Sequence, residues 1–240
     1  MTVVQTIQLA QSSALVDQDG NTISLNLLPP LSADEIDQFA ASLPCALPDE
    51  IRELLALTRG FEDVGAALVD FTGQAFLFGH EVLFPNGVAI ASDGFGNFWV
   101  VDVNESSTSF GPIYFACHDP PIILFQCSAL NEFLSELFRG CRPPHETLID
   151  DVQEDRTFRV WRTNPGVMSH AEWSESSDPT IQEFVKSLDA KWSVIDLRDA
   201  PPGMGFSWGR YGVNTELRRH ATLPIFAYRR PNGLFQKLFG

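Results

Sequence analysis

Four short stretches carry residue types and spacings that could do chemistry. Gly205-Phe206-Ser207-Trp208-Gly209 satisfies G-x-S-x-G, the pattern that exposes a serine nucleophile on a tight turn between a strand and a helix. That use demands a hydrophobic strand before the serine, with an acid and then a histidine after it on other loops of a large parallel sheet. Here Arg-Asp-Ala-Pro-Pro-Gly-Met precedes, and only Glu216 and His220 are present in the 33 residues that follow. Asp93-Gly94-Phe95-Gly96-Asn97 has the glycines of a phosphate cradle, but such a cradle runs into a helix N-terminus. This one runs into Asn-Phe-Trp-Val-Val-Asp-Val, which has strand character, and no lysine is near. It reads as a hairpin connection in which Gly94 and Gly96 supply positive φ. Asp17, Asp19 and Asn21 resemble the start of a calcium loop, yet the glycine comes too early and no bidentate Glu closes twelve residues. Cys117-His118 with Cys127 and Cys141 suggests zinc, but neighbours on a strand point to opposite faces and would not converge on one ion. The residues therefore assign no catalytic group, metal or cofactor, and the thiols read as reduced core residues.

The elements around these stretches follow from periodicity and caps. Ala14–Leu25 holds an Asp-Gly turn between two β-prone runs and predicts a hairpin. Ser32 with Glu35 forms a capping-box pattern ahead of Ile36, Phe39, Ala40 and Leu43 on one helical face. Pro48, Asp49 and Glu50 open a second helix with Ile51, Leu54 and Leu55 inward and Gly60 placed to end it. Between 67 and 126, short β-branched and aromatic runs (ALVDF, AFLFG, GVAIAS, NFWVVDV, PIYFACH, IILFQ) predict a meandering, mainly antiparallel sheet. A third helix follows, with Ser128 as cap, Leu130, Phe133, Leu134 and Leu137 as stripe, and Gly140 as terminator. The stripes of all three helices should face one sheet, which makes residues 31–140 one α+β unit and, with the N-terminal hairpin, residues 1–140 the first domain. Residues 141–155 read as a connector to a C-terminal α/β extension or small second domain, 141–240. There TFRVW predicts a strand, Asp178-Pro179 opens a helix with Ile181, Phe184, Val185 and Leu188 inward, and LPIFAY predicts a late strand.

Charge is distributed unevenly. The net charge is −15, and residues 1–140 carry 18 acids against Arg52, Arg59 and Arg139, while 141–240 balance. An acidic surface repels nucleic acid and anionic membrane and steers a basic protein partner toward itself. Glu62, Asp63, Asp70 and Glu81, in or beside turns of the early sheet, are the candidate partner contacts. Residues 218–240 reverse the sign, with Arg218, Arg219, Arg229, Arg230 and Lys237 and no acid. Ile225, Phe226 and Tyr228 should dock this tail on the body, with its arginines beside acids of the first unit. No apolar stretch reaches the length of a membrane span, and the first residues lack a basic n-region, so the expected location is the cytoplasm.

The order SADEIDQFAASL, LPDEIRELLALTRG, VAIASDGFGNFWVVDV, GPIYFACHD and SALNEFLSELF over residues 31–140 resembles the SMI1/KNR4 family, the SUKH superfamily. The resemblance implies a sheet with helices packed on it and no catalytic apparatus. It further implies either an immunity protein that neutralises a cognate toxin, often a nuclease and therefore basic, or a housekeeping interaction scaffold. A serine hydrolase using Ser207 is the third class weighed.

Overall fold

The computed structural model describes residues 1–212 and 214–229. Helix α1 (Val3–Gln11) opens the chain, with Thr2 and Gln5 forming a reciprocal capping box. This helix is absent from the sequence-based expectation. Val3, Ile7 and Ala10 are buried against α3 and α4, described below. The expected hairpin follows as β1 (Leu15–Val16) and β2 (Thr22–Ile23), then β3 (Asn26–Leu27). Helix α2 (Ala33–Ser42) carries the Ser32/Glu35 capping box, and α3 (Asp49–Leu57) buries Ile51, Leu54 and Leu55.

Gly60 does not end α3. The helix stops at Leu57 with Thr58 as its cap, and Gly60 opens β4 (Gly60–Glu62). A side chain there would meet the Val69 carbonyl oxygen at 1.9 Å, so the close approach of two backbones excludes one. Strands β5 (Leu68–Asp70), β6 (Val88–Ser92), β7 (Phe98–Val101), β8 (Ile113–His118) and β9 (Pro121–Cys127) continue the meander. AFLFG, expected as a strand, instead lies in the long β5–β6 connection, where Phe76 and Phe78 pack their rings 5.7 and 5.8 Å from that of Phe98. Its aromatics cover a sheet face without joining the ladder. Helix α4 (Leu130–Gly140) buries its whole expected stripe. Its cap is Ala129, with no side-chain bond; the Ser128 amide donates to Glu132 Oε2 at 2.9 Å instead.

Beyond α4, helices α5 (Leu148–Asp151) and α6 (Thr157–Thr163) are joined by one π-helical segment, Val152–Arg156. TFRVW is therefore helix, not strand. Thr157 Oγ1 donates to the Val152 carbonyl at 2.9 Å, and Val152, Thr157 and Val160 are buried, so tertiary packing overrides local β-propensity. There follow β10 (Met168–Ser169), α7 (His170–Ser174), α8 (Pro179–Lys186, capped by Asp178), β11 (Trp192–Asp196), β12 (Gly205–Phe206), β13 (Glu216–Arg219) and β14 (Ile225–Arg229).

Two sheets organise these pieces. The larger runs β12-β9-β8-β7-β6-β5-β4-β3, antiparallel throughout, and the smaller runs β10-β11-β14-β13. Alternate residues of the large sheet enter separate cores, as the two-residue strand period requires. Trp99, Val101, Ile113, Phe115, Ile122 and Leu124 face α1 to α4, and this core also receives Ile36, Phe39, Ile51, Leu54, Phe133 and Leu137. The expected helix stripes thus meet a common sheet. Val100, Tyr114, Ala116, Ile123 and Phe125 point the other way and are covered by Ile195, Phe206, Phe226 and Tyr228 from the C-terminal part. The far face of the small sheet packs Trp192, Val194, Ile225 and Ala227 on Ile181, Phe184, Val185 and Leu188 of α8 and its end. The layers are helices, large sheet, small sheet, helices. Among the described residues, no helix is long and apolar enough to cross a membrane.

Candidate partner-binding face

The antiparallel registers bring three turns to one end of the large sheet. Glu62 pairs with Leu68, Leu68 with Ser92, Ser92 with Phe98, Phe98 with Ala116, and His118 with Pro121. The β4–β5, β6–β7 and β8–β9 connections therefore stand side by side. Asp63, in the first, has φ 56°, and Glu62 and Asp63 are both exposed. In the second, Gly94 and Gly96 take φ 81° and 88°, as expected of a hairpin connection.

That second turn is fixed by its own side chains. Asp93 Oδ1 accepts from the Phe95 amide at 2.8 Å and the Asn97 amide at 3.2 Å, while Oδ2 accepts from Asn97 Nδ2 at 2.6 Å. Asn97 Oδ1 accepts from the His118 amide at 3.1 Å, which ties the turn to the neighbouring β8–β9 corner. On the other side, a Cβ at Gly94 would lie 3.2 Å from that of Ala67. The bonding leaves Phe95 at the tip, 81 % exposed.

Asp70 does not belong to this face, contrary to the expectation from sequence. It is wholly buried, its Oδ1 accepting from the Thr72 amide at 3.0 Å and hydroxyl at 2.6 Å, with Oδ2 3.4 Å from Arg59 Nε. A carboxylate committed to closing its own chain turn has no surface to offer. Glu81 is exposed in the β5–β6 connection and lines a cleft of about 370 Å³ beside the end of α2. Sequence reasoning missed Phe95, although the signal was present: an aromatic between two turn glycines has no strand neighbour to bury it.

The other chemical stretches resolve on geometry. Cys117 is buried and His118 exposed, on opposite faces of β8. Burial pushes the thiols of Cys117 and Cys127 up to about 11 and about 12. Ser207 is fully buried, and among the described residues its Oγ has no hydrogen-bond partner. Of the groups it would need, Glu216 is bound to Arg229, and His220 Nδ1 accepts from the Thr222 and Leu223 amides at 3.3 and 3.2 Å. Ser207 follows a two-residue edge strand of an antiparallel sheet, which is not a nucleophile elbow.

The tail residues dock as expected in part. Phe226 and Tyr228 face the large sheet, whereas Ile225 packs on the α8 side. Arg219 bonds Asp102 of the first unit at 2.6 Å. Arg229 bonds Asp189 and Glu216 instead, and Arg218 stacks 5.1 Å from the Trp192 ring, both within the C-terminal part. Arg230 and Lys237 lie outside the described residues.

Comparison with known proteins places this geometry. Residues 30–136 match the model of the SMI1 / KNR4 family (SUKH-1). Neither the curated proteins nor the solved structures contain a match. The matched residues run from just before α2 through the meander into α4 and supply most of the first core, to which α1 and the segment after α4 also contribute. Over that segment, which is less than half of the chain, the protein is similar to the SMI1/KNR4 (SUKH-1) domain.

Proposed function

We propose that this protein is a non-catalytic binding protein of the immunity type, which acts in the cytoplasm by occupying and neutralising a basic toxin domain. One observation carries the reading: from residue 60 to residue 138 there is no lysine or arginine, across most of the family domain. Within that stretch Glu62, Asp63 and Glu81 are exposed, and among the described residues none of the three is ion-paired to a lysine or arginine. A nuclease holds phosphates with lysine and arginine, so such a surface is complementary to it. The same surface disfavours nucleic acid and anionic lipid as ligands. The buried, unassisted Ser207 supports a role without turnover.

The test is a pull-down and a growth assay with the protein encoded beside this gene. A complex that restores growth of cells making that protein supports the reading. A complex without relief of toxicity favours an interaction scaffold. No complex and no relief would overturn the immunity assignment.

A further inference from the structure

Among the described residues, the two most exposed large apolar side chains are Leu77, 98 % exposed, and Phe95. Single exposed apolar residues are ordinary on protein surfaces. These two differ in how they are held. Phe95 stands on the turn that Asp93 and Asn97 bond from within and that His118 and Ala67 flank. Leu77 lies between Phe76 and Phe78, whose rings both pack on Phe98, the first residue after that turn. The two apolar groups thus stand on anchored segments that are joined through Phe98, with little ordering entropy left to lose on binding.

The turns around Phe95 are acidic. Glu62, Asp63 and Asp119 are exposed on the two flanking connections, Asp93 is half-exposed in the turn itself, and among the described residues no cation pairs with any of the four. An apolar centre with an acidic rim has the layout of an interface hot spot and its polar border.

We propose that Phe95 and Leu77 are the anchors of the partner-docking surface, and that its occupant is a basic protein domain with an apolar recess ringed by lysine or arginine. The inference rests on the binding role proposed above and names the surface that performs it. Anionic membrane and nucleic acid share the apolar or stacking side of this chemistry but would be repelled by the rim. A second copy of this chain would set acids against acids.

Two measurements on the full chain separate this surface from the wider reading. In the first, the protein encoded beside the gene is titrated with wild type, Phe95→Ala, Leu77→Ala, and Phe158→Ala as a control on α6, where Phe158 is also exposed. Weakening of at least about tenfold for the first two and none for the control supports the surface, because central anchors dominate interface energy. A complex that tolerates Phe95→Ala and Leu77→Ala overturns the surface and leaves the binding role standing. The second measurement needs no natural partner. Amide NMR shifts are followed while a short peptide of alternating lysine and leucine is added. Shifts gathered on residues 62–63, 76–78, 93–97 and 118–119, and abolished by Phe95→Ala, support the proposal even if the neighbouring protein fails to bind. Shifts elsewhere, or equal shifts with an alternating glutamate and leucine peptide, overturn it. Unchanged melting temperatures keep either result from being a folding effect.

Discussion

Arg219 and Asp102 meet where the two sheets face each other, with side chains only 5 % and 4 % exposed. Arg219 also donates to the Leu83 carbonyl at 2.7 Å and lies over the rings of Phe84 and Phe226. Burial pushes the Asp102 carboxyl up, and the hydrogen bond and charge of Arg219 pull it back only in part. Removing the arginine would leave a buried, unpaired carboxylate, so Arg219→Ala should cost about 3–5 kcal/mol, while an apolar pair in both places should cost far less. An acid whose folded value is raised favours the folded state below its ordinary value, and that contribution is lost as pH rises through the folded value. Loss of Arg219 widens this window. The deficit of Arg219→Ala, measured by urea unfolding, should therefore shrink as pH is lowered from 8 to 5. A deficit independent of pH would show that packing on Phe84 and Phe226, and not the charge, is what the arginine supplies. The basic tail and acidic first unit foretold such a pair in the sequence, but a charge count cannot choose Arg219 over Arg229. That choice is made by which strand residue points at the large sheet.

At the scale of elements, caps and stripes proved the most legible signals. The Ser32/Glu35 box forms as expected, and the bonds Glu35 accepts from Ser32, backbone first, hold its carboxyl below the usual range. A lowered acid contributes stability that is present above its ordinary value and lost as pH falls through the folded one. Ser32→Ala should cost about 1 kcal/mol near neutrality. Part of that cost should vanish at pH 3, which thermal melts at the two pH values can check. Helix α1 carries the same signs in the sequence, Thr2-x-x-Gln5 with Val3, Ile7 and Ala10 at helical spacing. Ile7 is fully buried, so Ile7→Ala should cost about 2–5 kcal/mol; a loss under 1 kcal/mol would mean that α1 is not integral to the core. TFRVW and AFLFG were not legible in this way. Both have β-prone composition, and what decides them is distant: the π-helical segment that seats Val152, and the ring of Phe98 that receives Phe76 and Phe78. Phe95 belongs with them, since its exposure depends on which turns flank it.

For the whole molecule, the question is whether residues 141–229 can be removed from the rest. Strand β12 lengthens the large sheet at β9, where a side chain on Gly205 would meet the Ile123 carbonyl oxygen at 1.9 Å. The small sheet buries Val100, Tyr114, Ala116, Ile123 and Phe125, which alternate with the first core along the same strands. Each large side chain so covered contributes on the order of 1.5–3 kcal/mol, against about 0–1 kcal/mol for an exposed ion pair, so apolar packing outweighs charge in holding the layers together. We therefore expect a fragment of residues 1–140 to expose one whole face of its sheet, bind a hydrophobic dye and self-associate. A monomeric fragment that unfolds cooperatively and binds no dye would show the two parts to be independent domains. In the intact protein the same argument predicts slow amide exchange at residues 225–228, because β14 is bonded to β11 and β13 on both sides and buried on both faces. That protection should persist in concentrated salt, which screens Arg229 on Asp189 and Glu216 but not the contacts of Phe226 with Phe206 and Tyr114. Fast exchange at every salt concentration would mean that the tail strand is not docked, and protection lost only at high salt would mean that charge, and not packing, holds it.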